Sequence, residues 1–242
     1  MPRREPKQKA ALPRPPYNPG LKRLIAAKQE GHYRPDIADA RCGFQGWHER
    51  GYLPHFDAPH VTQFVTFMLC DAFPVARRRE WEPICFEPSG SLRRRQLEAW
   101  LDRGQGDCWL RRRDVAERVE KILLGEDGLS YRLQAWMLMP NHVHLVVGVW
   151  NTPLSKLLNL WKGRSAFYAN RLLGRGGRFW EKEGFDTVIR DAGHLQKAIR
   201  YTESNPVKAC LVRDPKKWPW SSARWRDEYG RLPWQREAPG DA

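Results

Sequence analysis

The sequence lacks any apolar run near the roughly 20 residues that a helix needs to cross a bilayer. Its first twenty residues, rich in proline, lysine and arginine, also lack the apolar stretch of a secretion signal. These two absences argue against membrane and secreted proteins. We therefore expect a soluble, cytoplasmic protein that has no membrane partner.

Cysteine is scarce as well, and no two cysteines form a CxxC pair. The 242 residues include only Cys42, Cys70, Cys85, Cys108 and Cys210. An odd and widely scattered set argues against a disulfide framework and against a zinc site built from cysteines. The pattern is typical of a protein from a reducing cytosol.

Acidic residues are few in comparison with basic ones. The chain has 28 Asp and Glu against 42 Lys and Arg, which gives a formal net charge of +14. Such an excess favours a polyanionic partner. The 12 tryptophans could stack on unpaired bases or simply fill the core.

The chain is predicted to have three parts. Residues 1–50 are predicted to form a flexible basic arm, which either touches phosphates or is a solvated tail. Residues 51–225 are predicted to be the folded domain, and residues 226–242 a C-terminal tail. No internal repeat is present.

The hydrophobic pattern predicts alternating strands and helices. Strands are expected at 60–70, 131–139, 142–150 and, as a short extended piece, at 185–191. Helices are expected at 91–103, 112–128, 152–174 and 194–205, the last ending before Pro206. A turn at Pro140 and Asn141 joins the two middle strands into a hairpin. This order indicates an α+β fold, a small antiparallel sheet with helices on one face.

Two histidines stand one residue apart in "MPNHVHLVV", residues 139–147. Successive side chains of a strand alternate between its faces, so His142 and His144 share one face and Val143 lies on the other. The pair could bind a metal ion, or it could be a polar edge or a pair of structural histidines. Because two ligands do not hold a divalent ion firmly, a metal site needs a third ligand from elsewhere.

The last predicted helix offers candidates for that site. Tyr201 lies about 110° from the centre of the apolar stripe at roughly 100° per residue, and Asn205 follows one turn later on the same face. The stripe consists of Leu195, Ala198, Ile199 and Thr202. Tyr201 could also be a packing residue, and Asn205 a helix-end residue before Pro206.

"MPNHVHLVV" followed some sixty residues later by "YTESNPVKACLV" resembles the IS200-like transposase superfamily of HUH single-strand nucleases. More narrowly, the chain resembles the REP-associated tyrosine transposases. Further similar segments are "GYLPHFDAPHVTQFVTFML" (51–69), "LDRGQGDCWLRR" (101–112), "LSKLLNLWKGRSA" (154–166), "RFWEKEGFDTVIRD" (178–191) and "WPWSSARW" (218–225). The resemblance spans about residues 51–225 and implies the ferredoxin-like fold of HUH nucleases.

The resemblance implies a role for each site residue. Tyr201 would be the nucleophile, and His142, His144 and Asn205 would bind Mg²⁺ or Mn²⁺. The activity would be cleavage and rejoining of single-stranded DNA that carries hairpins, through a 5′-phosphotyrosine intermediate. A monomer or a homodimer associated with the nucleoid would carry it out.

Two positions depart from the family pattern. Cys210 stands where glycine is usual, and Gly184 stands where an aromatic residue is usual. At Asn205, the asparagine before proline agrees with the REP-associated branch, whereas the IS200 branch commonly has glutamine. Neither Cys210 nor Gly184 is among the residues proposed for the chemistry.

Basic residues of the folded part are the candidates for DNA contacts. Lys162 comes first because it matches the "WK" of the family, although a basic helix face can also be merely solvated. The full set is Lys162, Arg164, Arg171, Arg178, Arg190, Lys208 and Arg224. Trp218 and Trp220 are candidates for base stacking.

Two other functions remain possible from the sequence. A protein that keeps the fold and the basic surface but no longer cuts would be a non-catalytic DNA-binding protein. A zinc hydrolase built on the two histidines would need a further His, Asp or Glu ligand, and no residue stands at a recognisable spacing.

Overall fold

The computed structural model describes residues 34–50, 53–87 and 89–226. Residues 1–33 of the expected arm and residues 227–242 of the expected tail lie outside this description. Within the range assigned to the arm, residues 37–50 contain helix α1 (Ile37–Cys42) and strand β1 (Gly46–Arg50). The ring of Trp47 packs 5.1 Å from Phe56 of strand β2 (Leu53–Asp57), so this part of the range packs against the residues that follow it.

Apart from β1 and β2, four strands form a sheet at the centre of the molecule. It contains β3 (Thr62–Leu69), β4 (Tyr131–Leu138), β5 (His142–Val149) and β6 (Trp180–Val188) in the order β4-β5-β3-β6. All neighbouring strands are antiparallel, and β4 and β5 form the predicted hairpin. The predicted α+β class with a small antiparallel sheet is therefore confirmed.

Five longer helices accompany this sheet within the described residues. They are α2 (Arg78–Cys85), α3 (Gly90–Leu101), α4 (Arg113–Leu124), α5 (Leu154–Leu173) and α6 (Ala192–Lys208). The sequence predicted all of these except α2. None of the described helices is long and apolar enough to span a membrane.

The helices cover both faces of the sheet, whereas the sequence analysis expected them on one. Val65 and Leu145 point to the face covered by α4 and α5, which holds the largest buried cluster. The neighbouring residues Phe64 and Val146 point to the opposite face, where they pack against Ile199 of α6. The helices lie on both faces because β3 and β5 carry apolar side chains on each face of the sheet. Each apolar face has to be shielded from water.

Helix α6 continues through Pro206 to Lys208, so the predicted end at residue 205 is wrong. Proline removes one backbone donor and disfavours the helical conformation of the residue before it, but it does not prevent the bonds that follow. The backbone N–H of Ala209 donates to the Asn205 carbonyl at 2.8 Å, and that of Leu211 donates to Pro206 at 2.9 Å. These bonds close the last turn, which leaves Asn205 inside the helix.

Candidate active site

His142 and His144 lie on the sheet face that α6 and α3 cover. His142 stands opposite Met68 on β3, and His144 stands opposite Thr66. Both imidazoles are fully buried, and their Nε2 atoms lie 3.2 Å apart. Two ring nitrogens that converge in this way form one half of a metal-binding site.

The turn before β5 sets the tautomer of His142. The Asn141 side-chain amide donates to the Gln105 carbonyl at 3.0 Å, which directs its Oδ1 toward His142. Oδ1 can only accept, so His142 donates its Nδ1–H to it at 2.8 Å and keeps a lone pair on Nε2. Asn141 therefore prepares His142 for metal binding, and nothing in the sequence pattern beyond its adjacency indicated this role.

A second partner orients His144. Its Nδ1 lies 2.7 Å from the hydroxyl of Thr66, and the ring of Phe64 stacks on it with centroids 5.3 Å apart. Thr66 and Phe64 come from β3, some 80 residues earlier in the chain. Only the strand pairing brings them to the histidine, so the sequence alone could not identify them.

Burial keeps both histidines neutral. It lowers the pKa of His142 to about 3, with a smaller contribution from the positive charge of Lys208. The pKa of His144 is likewise held well below its usual range by burial, then by His142 and Lys208. Because metal ions bind the neutral imidazole, the pair is in its binding state across the physiological pH range.

Asn205 is the candidate for the third ligand. Its side chain is fully buried, yet neither its Oδ1 nor its Nδ2 has a hydrogen-bond partner among the described residues. An unsatisfied buried polar group costs on the order of 1–3 kcal/mol, so a structure that keeps one usually has a use for it. The unpaired carboxamide oxygen fits a metal ligand.

A third ligand of another type, from His, Cys, Asp or Glu, is not found beside the two histidines in the described part of the chain. Within the described ranges, no group of three or more His, Cys, Asp and Glu side chains is arranged to hold a metal ion. A zinc hydrolase built on the two histidines therefore gains no support. Asn205, with its buried and unpartnered amide on the helix that packs over the histidines, stays the candidate for the third ligand.

Tyr201 lies against the histidine pair, one helical turn before Asn205. Its ring centroid is 5.7 Å from that of His144 and 5.8 Å from that of Phe64, both in edge-to-face contact. Its hydroxyl is buried and has no hydrogen bond within ordinary distance. The structure therefore brings Tyr201 and the two histidines together as the sequence predicted.

Two carboxylates, one on α3 and one at its C-terminal cap, act on the tyrosine, and the sequence pattern indicated neither. Glu98 and Asp102 lie one turn apart, and each side chain is 15% exposed. Burial raises the pKa of Tyr201 above its usual range, and the negative charges of Glu98 and then Asp102 raise it further. The segment 101–112 that contains Asp102 resembles the family, but nothing in it indicated a contact with Tyr201, which arises from the packing of α3 beside α6.

Lys208 is the predicted DNA-contact residue that the structure places beside Tyr201. Its Nζ lies 3.1 Å from Asp102 Oδ2 and 5.3 Å from the centroid of the Tyr201 ring. More than half of its side chain is exposed. A cation in this position can contact a phosphate that approaches the tyrosine.

Lys162 occupies a different environment. Its ammonium donates to the backbone carbonyls of Glu181 and Lys182 at 3.0 and 3.2 Å, and it lies over the ring of Phe67. Phe67 belongs to the α4 and α5 face of the sheet, the side away from Tyr201. Lys162 therefore ties α5 to β6, and DNA contact by this residue stays a prediction.

Four more of the predicted DNA contacts are exposed side chains. On α5, Arg164 pairs with Glu126 at 3.2 Å and Arg171 lies over Phe167. Arg178 lies 3.6 Å from Glu181, just before β6. Arg190 stands two residues before α6.

Arg224, by contrast, forms an interior ion pair. Its guanidinium donates to Glu120 at 2.8 Å, and the other oxygen of Glu120 accepts from the indole of Trp136 at 2.9 Å. Arg224 is only 24% exposed and Glu120 only 7%. These contacts favour a structural role over a DNA contact.

Replacing this arginine tests that role. We expect Arg224→Met to lower the free energy of unfolding by about 2 kcal/mol, because it leaves the buried Glu120 carboxylate without its cation. The exposed ion pair between Arg164 and Glu126 offers a matched control. Arg164→Met is expected to change the free energy of unfolding by less than about 0.5 kcal/mol. Urea unfolding measures both, and equal losses in the two variants would contradict the interior role.

The two predicted stacking tryptophans support β4. The Trp218 indole donates to the Leu138 carbonyl at 2.8 Å, and the Leu138 N–H donates to the Trp220 carbonyl at 2.8 Å. Trp220 also packs against the main core. These contacts hold the C-terminal segment to the strand that leads into the histidine turn.

The two departures from the family pattern both have a structural counterpart. Cys210 has a backbone φ of +57°, in the left-handed region that glycine adopts most readily, just after α6 ends. At Gly184, an added Cβ would lie 2.8 Å from the carbonyl oxygen of Thr66, so no larger side chain fits there without a backbone shift. Since Thr66 orients His144, the glycine protects the geometry of the site.

Comparison with known proteins gives similarity to solved structures only. No family model matches the chain, and no curated protein matches it. Among solved structures, the chain is similar to a REP-associated tyrosine transposase bound to a REP hairpin, at 16% sequence identity and a TM-score of 0.43. The match covers 72% of this chain and 81% of that one. The assignment of a function therefore rests on the side chains of this chain.

Proposed function

We propose that the protein is a metal-dependent tyrosine transposase of the REP-associated kind. It would cut and rejoin single-stranded DNA beside a hairpin through a 5′-phosphotyrosine intermediate. The observation that carries the proposal is the position of Tyr201, packed against a converging histidine pair and one turn before an unpaired buried amide. A nucleophile beside a candidate metal site is the combination that phosphodiester transesterification needs.

The metal would be Mg²⁺ or Mn²⁺, held by His142, His144 and Asn205. When bound, it would polarise the phosphate, since hard divalent cations bind oxygen ligands and leave positions open for them. The unpaired carboxamide of Asn205 and the two neutral imidazoles fit such an ion.

Tyr201 would supply the attacking oxygen. A bond forms between the phenolic oxygen and phosphorus, and the bond from phosphorus to the 3′-oxygen breaks, which releases a free 3′-hydroxyl. Burial raises the pKa of Tyr201, so the attack needs a group that accepts the phenolic proton. Glu98 exerts the largest effect of any charged group on the pKa of Tyr201, which makes its carboxylate the candidate acceptor.

The covalent link conserves the energy of the broken bond. A second 3′-hydroxyl can therefore attack the phosphotyrosine and restore a phosphodiester without ATP. Lys208, which lies over the ring of Tyr201, would neutralise a phosphate during both steps.

A denaturing gel tests the proposal. The full chain is incubated with Mn²⁺ and a 5′- or 3′-labelled single strand that carries a hairpin. We expect a covalent adduct that carries the label of the 3′ fragment, and no adduct when the metal is removed with EDTA. Specific binding without an adduct would instead support a non-catalytic DNA-binding protein.

A further inference from the structure

One face of α6 carries a row of functional side chains. His194, Lys197, Tyr201, Asn205 and Lys208 follow at steps of three or four residues, which places them within about 80° of one another. At 1.5 Å per residue the row is about 21 Å long. The nucleophile therefore lies between a cation on its C-terminal side and polar or basic groups on its N-terminal side.

The N-terminal end of this row is a cluster of positive charge drawn from three segments. Partial burial lowers the pKa of His194, and the positive charges of Arg190, Arg94 and Lys197 lower it further, whereas Asp191 opposes them. Arg190 precedes α6, Arg94 comes from α3, and Lys197 lies one turn into α6. Arg94 donates to Thr187, which lies three residues before Arg190 in the chain, and the backbone N–H of Arg190 donates to His194 Nδ1 at 3.2 Å. The three cations therefore lie at the same end of the row, although Arg94 is about 100 residues from the other two in the chain.

The positions of the individual cations leave them available to a ligand. Arg190 and Lys197 are exposed. Arg94, 40% exposed, donates to the hydroxyl of Thr187 at 3.2 Å and lies 3.9 Å from Glu98. These two contacts hold the Arg94 guanidinium between β6 and Glu98, the carboxylate that acts on Tyr201.

Two acidic groups lie at this end against the three cations: Glu98 lies beside Arg94, and Asp191 stands at the start of α6. Asp191 caps α6 by accepting the backbone N–H of His194 at 2.7 Å. The N-terminal end of a helix also carries partial positive charge, which adds to that of the side chains. The cluster therefore has a surplus of positive charge next to the candidate site.

We propose that α6 is a track for the sugar-phosphate backbone of single-stranded DNA. One phosphate subsite consists of Arg94, Arg190 and Lys197, and a second consists of Lys208, so that the strand contacts the protein on both sides of Tyr201. The proposal rests on the proposed function for the identity of its ligand. It adds Arg94 and Lys197 to the residues that sequence reasoning assigned to DNA.

The second subsite involves an exchange of partners. Lys208 now pairs with Asp102 at 3.1 Å, and a phosphate on the track would take the place of that carboxylate. A charge-assisted bond to phosphate is strong enough to compete with a partly exposed ion pair. The exchange would move the cation from α3 to the DNA while the helix stays in place.

Salt dependence of binding tests the track independently of catalysis. All variants are made in the Tyr201→Phe background, without metal, and fluorescence anisotropy follows a labelled single strand over a series of NaCl concentrations. Each phosphate contact contributes a slope of about −0.7 to log K against log salt for single strands. We expect the double variant Arg190→Ala/Lys197→Ala to reduce the slope by about 1.4 and Arg94→Gln to reduce it by about 0.7.

A matched double variant on the other side of the molecule is the control. Arg113→Ala/Lys121→Ala removes two exposed cations from α4, which covers the opposite face of the sheet. Equal slopes for the two double variants, with both folded by circular dichroism, would overturn the track. If the slopes differ as expected while the wild type forms no adduct, the track stands and the proposed function fails.

Discussion

Tyr201→Phe is expected to abolish the covalent DNA adduct while the protein stays folded and still binds single-stranded DNA. The change removes only the hydroxyl oxygen, which is the proposed nucleophile. That hydroxyl interacts with the Glu98 carboxylate outside ordinary hydrogen-bond geometry, so its loss removes only a weak contact. We expect adduct formation to fall below detection and the free energy of unfolding to change by less than about 1 kcal/mol.

A second tyrosine provides the control for this variant. Tyr168 lies on the exposed surface of α5, where Arg118 packs over its ring, and Tyr168→Phe makes the same chemical change away from the site. This variant is expected to form the adduct at the wild-type rate. An adduct that persists in Tyr201→Phe would mean that another residue is the nucleophile.

Asn205→Ala is expected to weaken Mn²⁺ binding at least about tenfold, which corresponds to a loss of about 1.4 kcal/mol. The amide oxygen is the third proposed ligand, and two imidazoles alone hold a divalent ion poorly. Since neither polar atom of Asn205 has a hydrogen-bond partner, the metal-free protein should lose less than about 1 kcal/mol of stability. Isothermal titration calorimetry and urea unfolding measure the two effects separately.

Thr202 offers a close control for the amide. It is also fully buried on α6, and its hydroxyl also has no hydrogen-bond partner among the described residues. Thr202→Val removes that hydroxyl with little change in volume and should leave the Mn²⁺ affinity unchanged. A loss of stability without any loss of metal affinity in Asn205→Ala would show that the amide has a structural role instead.

Local sequence patterns were sufficient to predict the hairpin and the helix that carry the candidate site residues. The Pro140-Asn141 turn and the alternation in β5 placed His142 and His144 on one face, and the structure confirms the hairpin. The spacing of apolar residues in α6 placed Tyr201 at the edge of its buried stripe, and the ring does lie against His144. These features depend on residues that are near one another in the chain.

Contacts between distant segments could not be predicted in the same way. Glu98 and Asp102 reach Tyr201 only because α3 packs beside α6, and Thr66 reaches His144 only through the pairing of β3 with β5. The same limit explains Arg224, whose charge suggested DNA but whose partner, Glu120, lies 104 residues away. A basic residue in a sequence does not reveal whether the fold supplies its counter-ion.

The presence of helices on both faces of the sheet also depends on contacts between distant segments. The continuous apolar run of β5 was compatible with a strand buried on one side or on two. The packing of α4 and α5 against Leu145, and of α6 against Val146, decided between them. This arrangement buries the histidine pair completely, which neither the HxH spacing nor the helix pattern could show.

Mass spectrometry of the trapped adduct tests the central claim most directly. After reaction with Mn²⁺ and hairpin DNA, nuclease digestion leaves a short nucleotide on the modified residue, and trypsin then cuts the chain after Arg200 and Lys208. We predict that the peptide of residues 201–208 carries the mass of the nucleotide, with fragment ions that place it on Tyr201. A nucleotide on any other peptide, or no modified peptide from an active preparation, would contradict the account.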